Sequence, residues 1–100
     1  MTKPTSFSSD EKLILKLYIS GMSPKSMEAI KNLKLICENY INDRFELEII
    51  DIYKNPALAA EQHIIFCPSL VKQRPLPRRT LIGTLADTEK VMTALGISNN

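Results

Sequence analysis

Apolar and polar residues alternate along the stretch from Lys12 to Ser20, which reads Lys-Leu-Ile-Leu-Lys-Leu-Tyr-Ile-Ser. Every second position of this stretch is apolar: Leu13, Leu15, Leu17 and Ile19. A period of two places such residues on one face of a β-strand. The positions between them are mixed, so the stretch is predicted to be a core strand with one fully apolar face.

The pattern changes to a helical period after Gly21. Ser23 can cap a helix with its side-chain oxygen, and Pro24 suits the first helical position, where its missing N–H has no intrahelical partner. Apolar residues then recur at spacings of one, three or four: Met27, Ile30, Leu33, Ile36, Cys37, Tyr40 and Ile41. This spacing predicts an amphipathic helix that ends at Asn42 and Asp43.

The segment from Phe45 to Tyr53 is predicted to be a second strand, and its β-branched centre predicts burial on both faces. A strand, a helix and a second strand form a right-handed parallel crossover. Asn55 followed by Pro56 again pairs a capping residue with proline, which predicts a short helix from Ala57 to about His63.

The second half of the chain predicts two more strands, Ile64 to Lys72 and Thr80 to Gly83, joined by a proline-rich connection as antiparallel neighbours. Asp87 can cap a last helix that runs to about Leu95, and Gly96 ends it. The order is therefore β-α-β-α-β-β-α. It predicts an α/β protein with a mixed sheet and helices on both faces, which is the thioredoxin-like layout.

Pro68 interrupts an apolar run, and proline is confined to the edges, starts and bulges of sheets because it donates no ladder hydrogen bond. Cys67 and Pro68 resemble the turn that begins the third strand of thioredoxin-type folds, so a structural cis-proline is predicted at Pro68. A redox thioredoxin carries Cys-x-x-Cys between its first strand and first helix. Here that turn runs from Gly21 to Pro24 without a thiol. Dithiol chemistry is therefore disfavoured, and a thiol enzyme that uses Cys67 remains the alternative.

The composition indicates a single domain: the chain has 100 residues, of which 44% are hydrophobic. Residues 1–11 are mostly polar and are predicted to be a mobile N-terminal tail, with the folded domain spanning residues 12–100. Apolar runs fall short of the roughly 18 residues that cross a membrane, and two distant cysteines predict neither a disulfide framework nor a zinc site. We expect a cytoplasmic protein that needs no cofactor and no metal.

Positive charge is local, because the formal net charge of the chain is only +2. Four cationic residues lie on or beside the proline-rich connection: Lys72, Arg74, Arg78 and Arg79. Arginine suits bidentate contacts to carboxylates, so this cluster is predicted to bind an acidic surface of a partner. The alternatives are a solvated loop without a partner and a nucleic-acid site. The second is disfavoured by the small net charge and the lack of accompanying aromatic residues.

Two further polar residues are candidates for sites. His63 is the single histidine and has no catalytic companions nearby in sequence, which predicts a surface residue at a helix end. Asp51 follows an apolar strand, where a carboxylate must reach the end of the sheet or find a partner.

Several short motifs, taken together and in this order, resemble the KaiB family of circadian clock proteins. They are Leu15 to Gly21, Ser23-Pro24 with Ser26, Ile50 to Ile52, Lys54 to Pro56 with Leu58-Ala59, Pro68 to Leu70, Pro75 with Pro77 and Arg79, and Ile82 to Leu85. The resemblance implies a non-enzymatic protein that binds a KaiC-type ATPase ring and modulates its phosphorylation or activity. It also implies a KaiA-like protein or a histidine kinase as further partners, and homo-oligomers such as dimers or tetramers.

The resemblance further implies a second fold, a tetrameric ground state in which the C-terminal half is rearranged. Here Asp87 and Glu89 lie at the positive end of the last predicted helix, and Ala94 is a strong helix former, so the thioredoxin-like form is expected in the free protein. The sequence also lacks the acidic C-terminal tail of the cyanobacterial clock form. A KaiB-like paralogue that acts in stress adaptation is therefore the alternative to a clock role.

Overall fold

The computed structural model describes residues 12–41, 44–64 and 66–97. The strands and helices are β1 (Leu13–Ile19), α1 (Pro24–Ile36), β2 (Phe45–Asp51), α2 (Pro56–Glu61), β3 (Ser69–Arg74), β4 (Arg79–Ile82) and α3 (Thr88–Leu95). The predicted order of elements is confirmed. The predicted tail, residues 1–11, and the predicted end of α1 at Asn42 and Asp43 lie outside the described residues.

The four strands form one mixed sheet in the order β2-β1-β3-β4. Strand β1 pairs parallel with β2, so that Leu13 lies opposite Phe45 and Ile19 lies opposite Asp51. Strand β3 pairs antiparallel with both β1 and β4. The thioredoxin-like class predicted from the order of elements is confirmed, and the C-terminal half is in that arrangement rather than the rearranged one.

The predicted burial of β2 on both faces is wrong. β2 is an edge strand in which Ile50 is buried, whereas Ile49 is exposed. β-branched residues indicate that a segment fits a pleated strand. They do not indicate whether that strand has one neighbouring strand or two in the sheet.

The larger core lies between the sheet and the helices α1 and α3. Its buried strand residues are Leu13, Leu15, Leu17, Ile19 and Leu70. Leu33 and Ile36 of α1 and Val91, Met92 and Leu95 of α3 cover them. A smaller core on the opposite face contains Tyr18, Ile50 and Val71, packed against Ile52, Ile64 and Cys67. We call the first the α1/α3 face and the second, on the side of α2, the α2 face.

Helix α1 begins as predicted, with Ser23 as its cap and Pro24 in its first turn. Leu33, Ile36, Cys37 and Ile41 of the predicted stripe are buried, but Met27 and Tyr40 are exposed. The inward positions near the start of the helix are instead Ser26 and Ala29. Tyr40 lies in a π-helical turn, Cys37–Ile41, whose wider winding shifts the phase of the stripe.

The second half differs from prediction mainly at element boundaries. Strand β3 begins at Ser69 rather than Ile64, directly after the proline that cannot donate to the ladder. Helix α2 ends at Glu61, and His63 follows it, exposed and with a φ of 57°. Helix α3 begins and ends as predicted, because the Asp87 carboxylate accepts a hydrogen bond from Lys90 N at 3.2 Å and Gly96 is left-handed.

Candidate partner-binding surface

The β1–α1 turn, where a redox thioredoxin carries its dithiol, is built here from hydrogen bonds to one carboxylate. Asp51 ends β2, and its Oδ1 accepts hydrogen bonds from Gly21 N at 3.1 Å and Tyr53 N at 2.9 Å. Gly21 has a φ of +65°, and a Cβ there would lie 3.3 Å from the Tyr53 ring. The positive φ favours glycine, and a Cβ would in addition make a tight contact with the exposed Tyr53 ring. Asp51 is a strand-end residue that ties two adjacent turns together.

Three serines complete this turn. The Ser23 hydroxyl donates to Ser26 Oγ at 2.9 Å, and Ser26 Oγ accepts from Ser20 N at 3.2 Å. Ser26 is fully buried, so its hydroxyl is satisfied within the protein rather than by bulk solvent. The turn is a closed polar network that contains no thiol.

The Cys67–Pro68 peptide bond is cis, and so are the bonds before Pro75 and Pro77. Pro68 is buried, and its carbonyl oxygen accepts a hydrogen bond from Gly83 N at 2.9 Å. Burial, and to a smaller degree the Asp51 carboxylate, raise the pKa of the Cys67 thiol. A catalytic cysteine needs a lowered pKa. The environment of Cys67 is therefore opposite to that of a nucleophile.

The second thiol, Cys37, is buried in the larger core, and burial raises its pKa from 9.0 to about 11. Above pH 9 the thiol of the unfolded chain loses its proton while the folded one keeps it, so the unfolded state binds fewer protons and stability falls with pH. We expect a loss of about 2 kcal/mol from this residue by pH 11. Urea unfolding at pH 7 to 11 of the unchanged protein and of Cys37→Ala measures it as the difference between the two curves. Parallel curves would contradict it.

The sheet divides the four predicted basic residues between its two faces. Lys72 lies opposite both Leu15 and Arg79, which places Lys72 and Arg79 on the α1/α3 face. A bulge in the β1–β3 pairing sets Arg74 opposite Ile14, one residue before Leu15, and so re-aims Arg74 to the α2 face. Arg78 also lies toward the α2 face, where its Nη2 donates to Gln62 Oε1 at 2.9 Å. The structure brings together Lys72 and Arg79 but not all four residues.

Lys72 is largely buried, because only 5% of it is exposed. Burial, followed by the positive charge of Arg79, lowers the pKa of its ammonium group. Arg74, Arg78 and Arg79 are exposed and available to a partner.

Three exposed apolar residues at one end of the sheet were not singled out from the sequence: Met22, Tyr53 and Phe66. Met22 and Tyr53 follow the carboxyl ends of the parallel strands β1 and β2, and Phe66 precedes the antiparallel strand β3. The three therefore flank the turn that Asp51 holds. Large apolar residues just beyond parallel strand ends were the sequence signal, since those ends meet at one edge of a sheet.

Within the described residues, no helix is long and apolar enough to span a membrane. The same part of the chain contains no group of three or more histidine, cysteine, aspartate or glutamate side chains placed to hold a metal ion.

The fold and the site together define a thioredoxin-like protein whose β1–α1 turn has no dithiol. Solved structures share this fold: the N-terminal domain of SasA from Synechococcus elongatus has a TM-score of 0.71 and 23% identity, covering 95% of this chain and 91% of that domain. The thioredoxin Deadhead from Drosophila melanogaster has a TM-score of 0.67 and 21% identity, covering 84% of this chain and 78% of that one.

Sequence comparisons identify the family. The KaiB domain matches residues 16–97. The circadian clock oscillator protein KaiB of Synechococcus elongatus is 46% identical over 84 residues, which is 84% of this chain and 82% of that protein. The circadian clock protein KaiB3 of a Synechocystis species is 41% identical over 86 residues, which is 86% of this chain and 84% of that protein. The chain belongs to the KaiB family of circadian clock proteins.

Proposed function

We propose that this protein is a non-catalytic docking protein that binds a KaiC-type ATPase ring and modulates its phosphorylation or activity. A KaiA-like protein or a histidine kinase is the further partner that we propose for the same cytoplasmic pathway. Membership of a clock family supports this role. The observation that carries it is the β1–α1 turn, where Asp51 and three serines hold a thiol-free loop in place of a redox centre.

The surfaces available for docking support binding rather than catalysis. Met22, Tyr53 and Phe66 expose apolar area around the Asp51 turn, and apolar and aromatic groups are the usual anchors of protein interfaces. Arg78 and Arg79 add cationic groups on opposite faces of β4. Both thiols have pKa values raised by burial, which disfavours the alternative of a thiol enzyme that uses Cys67.

The experiment reverses the charge of two exposed arginines. Arg78→Glu combined with Arg79→Glu is expected to abolish binding to a purified KaiC-type ring from the same organism, measured by biolayer interferometry, because an acidic docking surface would then meet like charge. The fold should persist, since exposed charge changes usually alter stability by less than about 0.5 kcal/mol. Circular dichroism and thermal unfolding check this.

The matched control is Lys25→Glu with Lys31→Glu, which makes the same change of charge at exposed positions of α1. Each arginine is also reversed singly, because Arg78 lies toward the α2 face and Arg79 on the α1/α3 face. The single variant that loses affinity identifies the docking face. Unchanged affinity of the double variant for the ring would show that these arginines are only solvated. An equal loss of affinity in the control variant would show that net charge, and not the position of the arginines, causes the loss.

A further inference from the structure

A cleft of about 180 Å³ lies between the proline-rich connection, the β3–β4 pair and the end of α3. Lys72 and Arg79 line it from the sheet, Pro75 and Pro77 from the connection, and Thr93 and Leu95 from the helix. Lys72 is the unusual member: only 5% of it is exposed, but no buried side-chain nitrogen in the described part of the chain lacks a partner, so its apolar stem is buried while its ammonium group reaches the cleft.

The described residues that line this cleft include no carboxylate. In the same part of the chain, the ion pairs found join Lys12 to Glu46 at 3.8 Å and Lys16 to Glu48 at 3.1 Å, and no acid pairs with Lys72. The end of α3 contributes the partial negative charge of its last carbonyl groups, which favours a cation nearby. Arg79 brings a second cation to the same face as Lys72. The cleft is therefore a preformed site with an excess of positive charge.

A second groove, of about 650 Å³, lies between β4 and α3. It shares Arg79, Thr93 and Ala94 with the cleft, and Thr80 and Leu81 of β4 line it further along the strand. Because β4 is the last strand of the sheet in the described part of the chain, its outward backbone N–H and C=O groups have no strand partner there. Such an edge accepts an extended peptide as an additional strand, with side chains in neighbouring pockets giving specificity.

We propose that the cleft binds the carboxylate of an Asp or Glu side chain, presented by an extended segment of a partner protein that pairs with the outer edge of β4. Charge complementarity selects this occupant: the described lining of the cleft carries Lys72 and Arg79 without a carboxylate, whereas the rest of the groove has a mixed lining that contains Asp87, Glu89 and Lys90. The inference deepens the proposed function, on which it rests for its protein partner, by naming the group that Lys72 recognises.

The test uses the full chain and a capped peptide, Thr-Val-Glu-Val-Thr, with its Gln counterpart and sodium acetate as probes. Titrations followed by ¹⁵N amide shifts should place the Glu peptide along β4 and the end of α3, and the Gln peptide should bind at least about tenfold more weakly. Lys72→Met, which nearly keeps the length of the side chain, should weaken binding of the Glu peptide by a similar factor. Replacing a buried charge by an apolar group of similar size is often neutral or stabilising, so this variant is expected to fold.

Lys31→Met on the exposed side of α1 is the control and should leave affinity unchanged. The pKa of Lys72, which burial and Arg79 lower, should rise when the Glu peptide binds. The proposal would be overturned if the Glu and Gln peptides bound equally tightly, or if Lys72→Met bound the Glu peptide as tightly as the unchanged protein does. Amide shifts on the β2 edge would also overturn it. Acetate that binds as tightly as the peptide would overturn its extended-segment part, leaving a small-anion site.

The ring separates this inference from the proposed function. A ring that binds the unchanged protein and Lys72→Met equally would refute the role of the cleft and leave the docking function intact. A ring that does not bind the unchanged protein would refute the docking function, while the peptide titration would still decide whether the cleft recognises a carboxylate.

Discussion

Leu33→Ala is expected to lower the free energy of unfolding by about 2–5 kcal/mol, the usual cost of removing a buried leucine side chain and leaving a cavity. Leu33 is 0% exposed and belongs to the core between α1 and the sheet, where leucines of β1 are also fully buried. A domain of this size has a total stability of about 5–15 kcal/mol, so the loss is a large share of it. Urea unfolding followed by circular dichroism measures the change.

Leu35→Ala is the matched control, because Leu35 is on the same helix and is 48% exposed. The same truncation there removes much less buried surface and is expected to cost well under half as much. The thermal midpoint should follow, at roughly 4–8 °C for each kcal/mol in a domain of this size. Similar losses for the two variants would contradict the assignment of the loss to packing against β1, since alanine is the strongest helix former and neither change lowers helix propensity.

Asp51→Ala is expected to cost about 1–3 kcal/mol and to loosen the β1–α1 turn. Its Oδ1 is the acceptor for Gly21 N and Tyr53 N, so the change leaves two backbone donors without their partner. The cost in stability of leaving a donor unpaired grows with the burial of that donor, and the bond to Gly21 N is partly buried. Urea unfolding gives the cost, and amide hydrogen exchange at Gly21 reports on the turn itself.

Asp51→Asn separates the hydrogen bonds from the charge, since an asparagine side chain keeps one acceptor oxygen at the same place. It should retain most of the stability and most of the protection of the Gly21 amide. Should Asn and Ala cost the same, the negative charge rather than the acceptor geometry would be what holds the turn.

The sequence predicted well wherever the determining interactions are local. The alternation from Leu13 to Ile19, the Ser23-Pro24 start of α1, and the Asp87 and Gly96 ends of α3 are all found where expected. Each depends on residues within about four positions of one another, through the strand period or a capping hydrogen bond. The order of these elements was then enough to predict the thioredoxin-like class.

The site could be predicted only in part, because two of its features depend on contacts between distant segments. Asp51 was recognised as a strand-end carboxylate, but its hydrogen bond to Gly21 N joins residues 30 positions apart. Met22 and Phe66 are unremarkable in sequence and become a surface only when their turns meet at one end of the sheet. Pairing of β1 with both β2 and β3 brings those turns together.

The sequence by itself determined the strand and helix periods, the Ser23 and Asp87 caps, the order of elements and the thiol-free turn, whereas the predicted cap Asn55 makes no side-chain capping hydrogen bond. The tertiary structure alone decided that β2 is an edge strand, that Lys72 is buried, and that the basic residues separate into two pairs. The physical reason is that sheet order and register are set by pairing between distant strands. A shift of one residue moves a side chain to the other face, as the bulge opposite Ile14 and Leu15 does for Arg74.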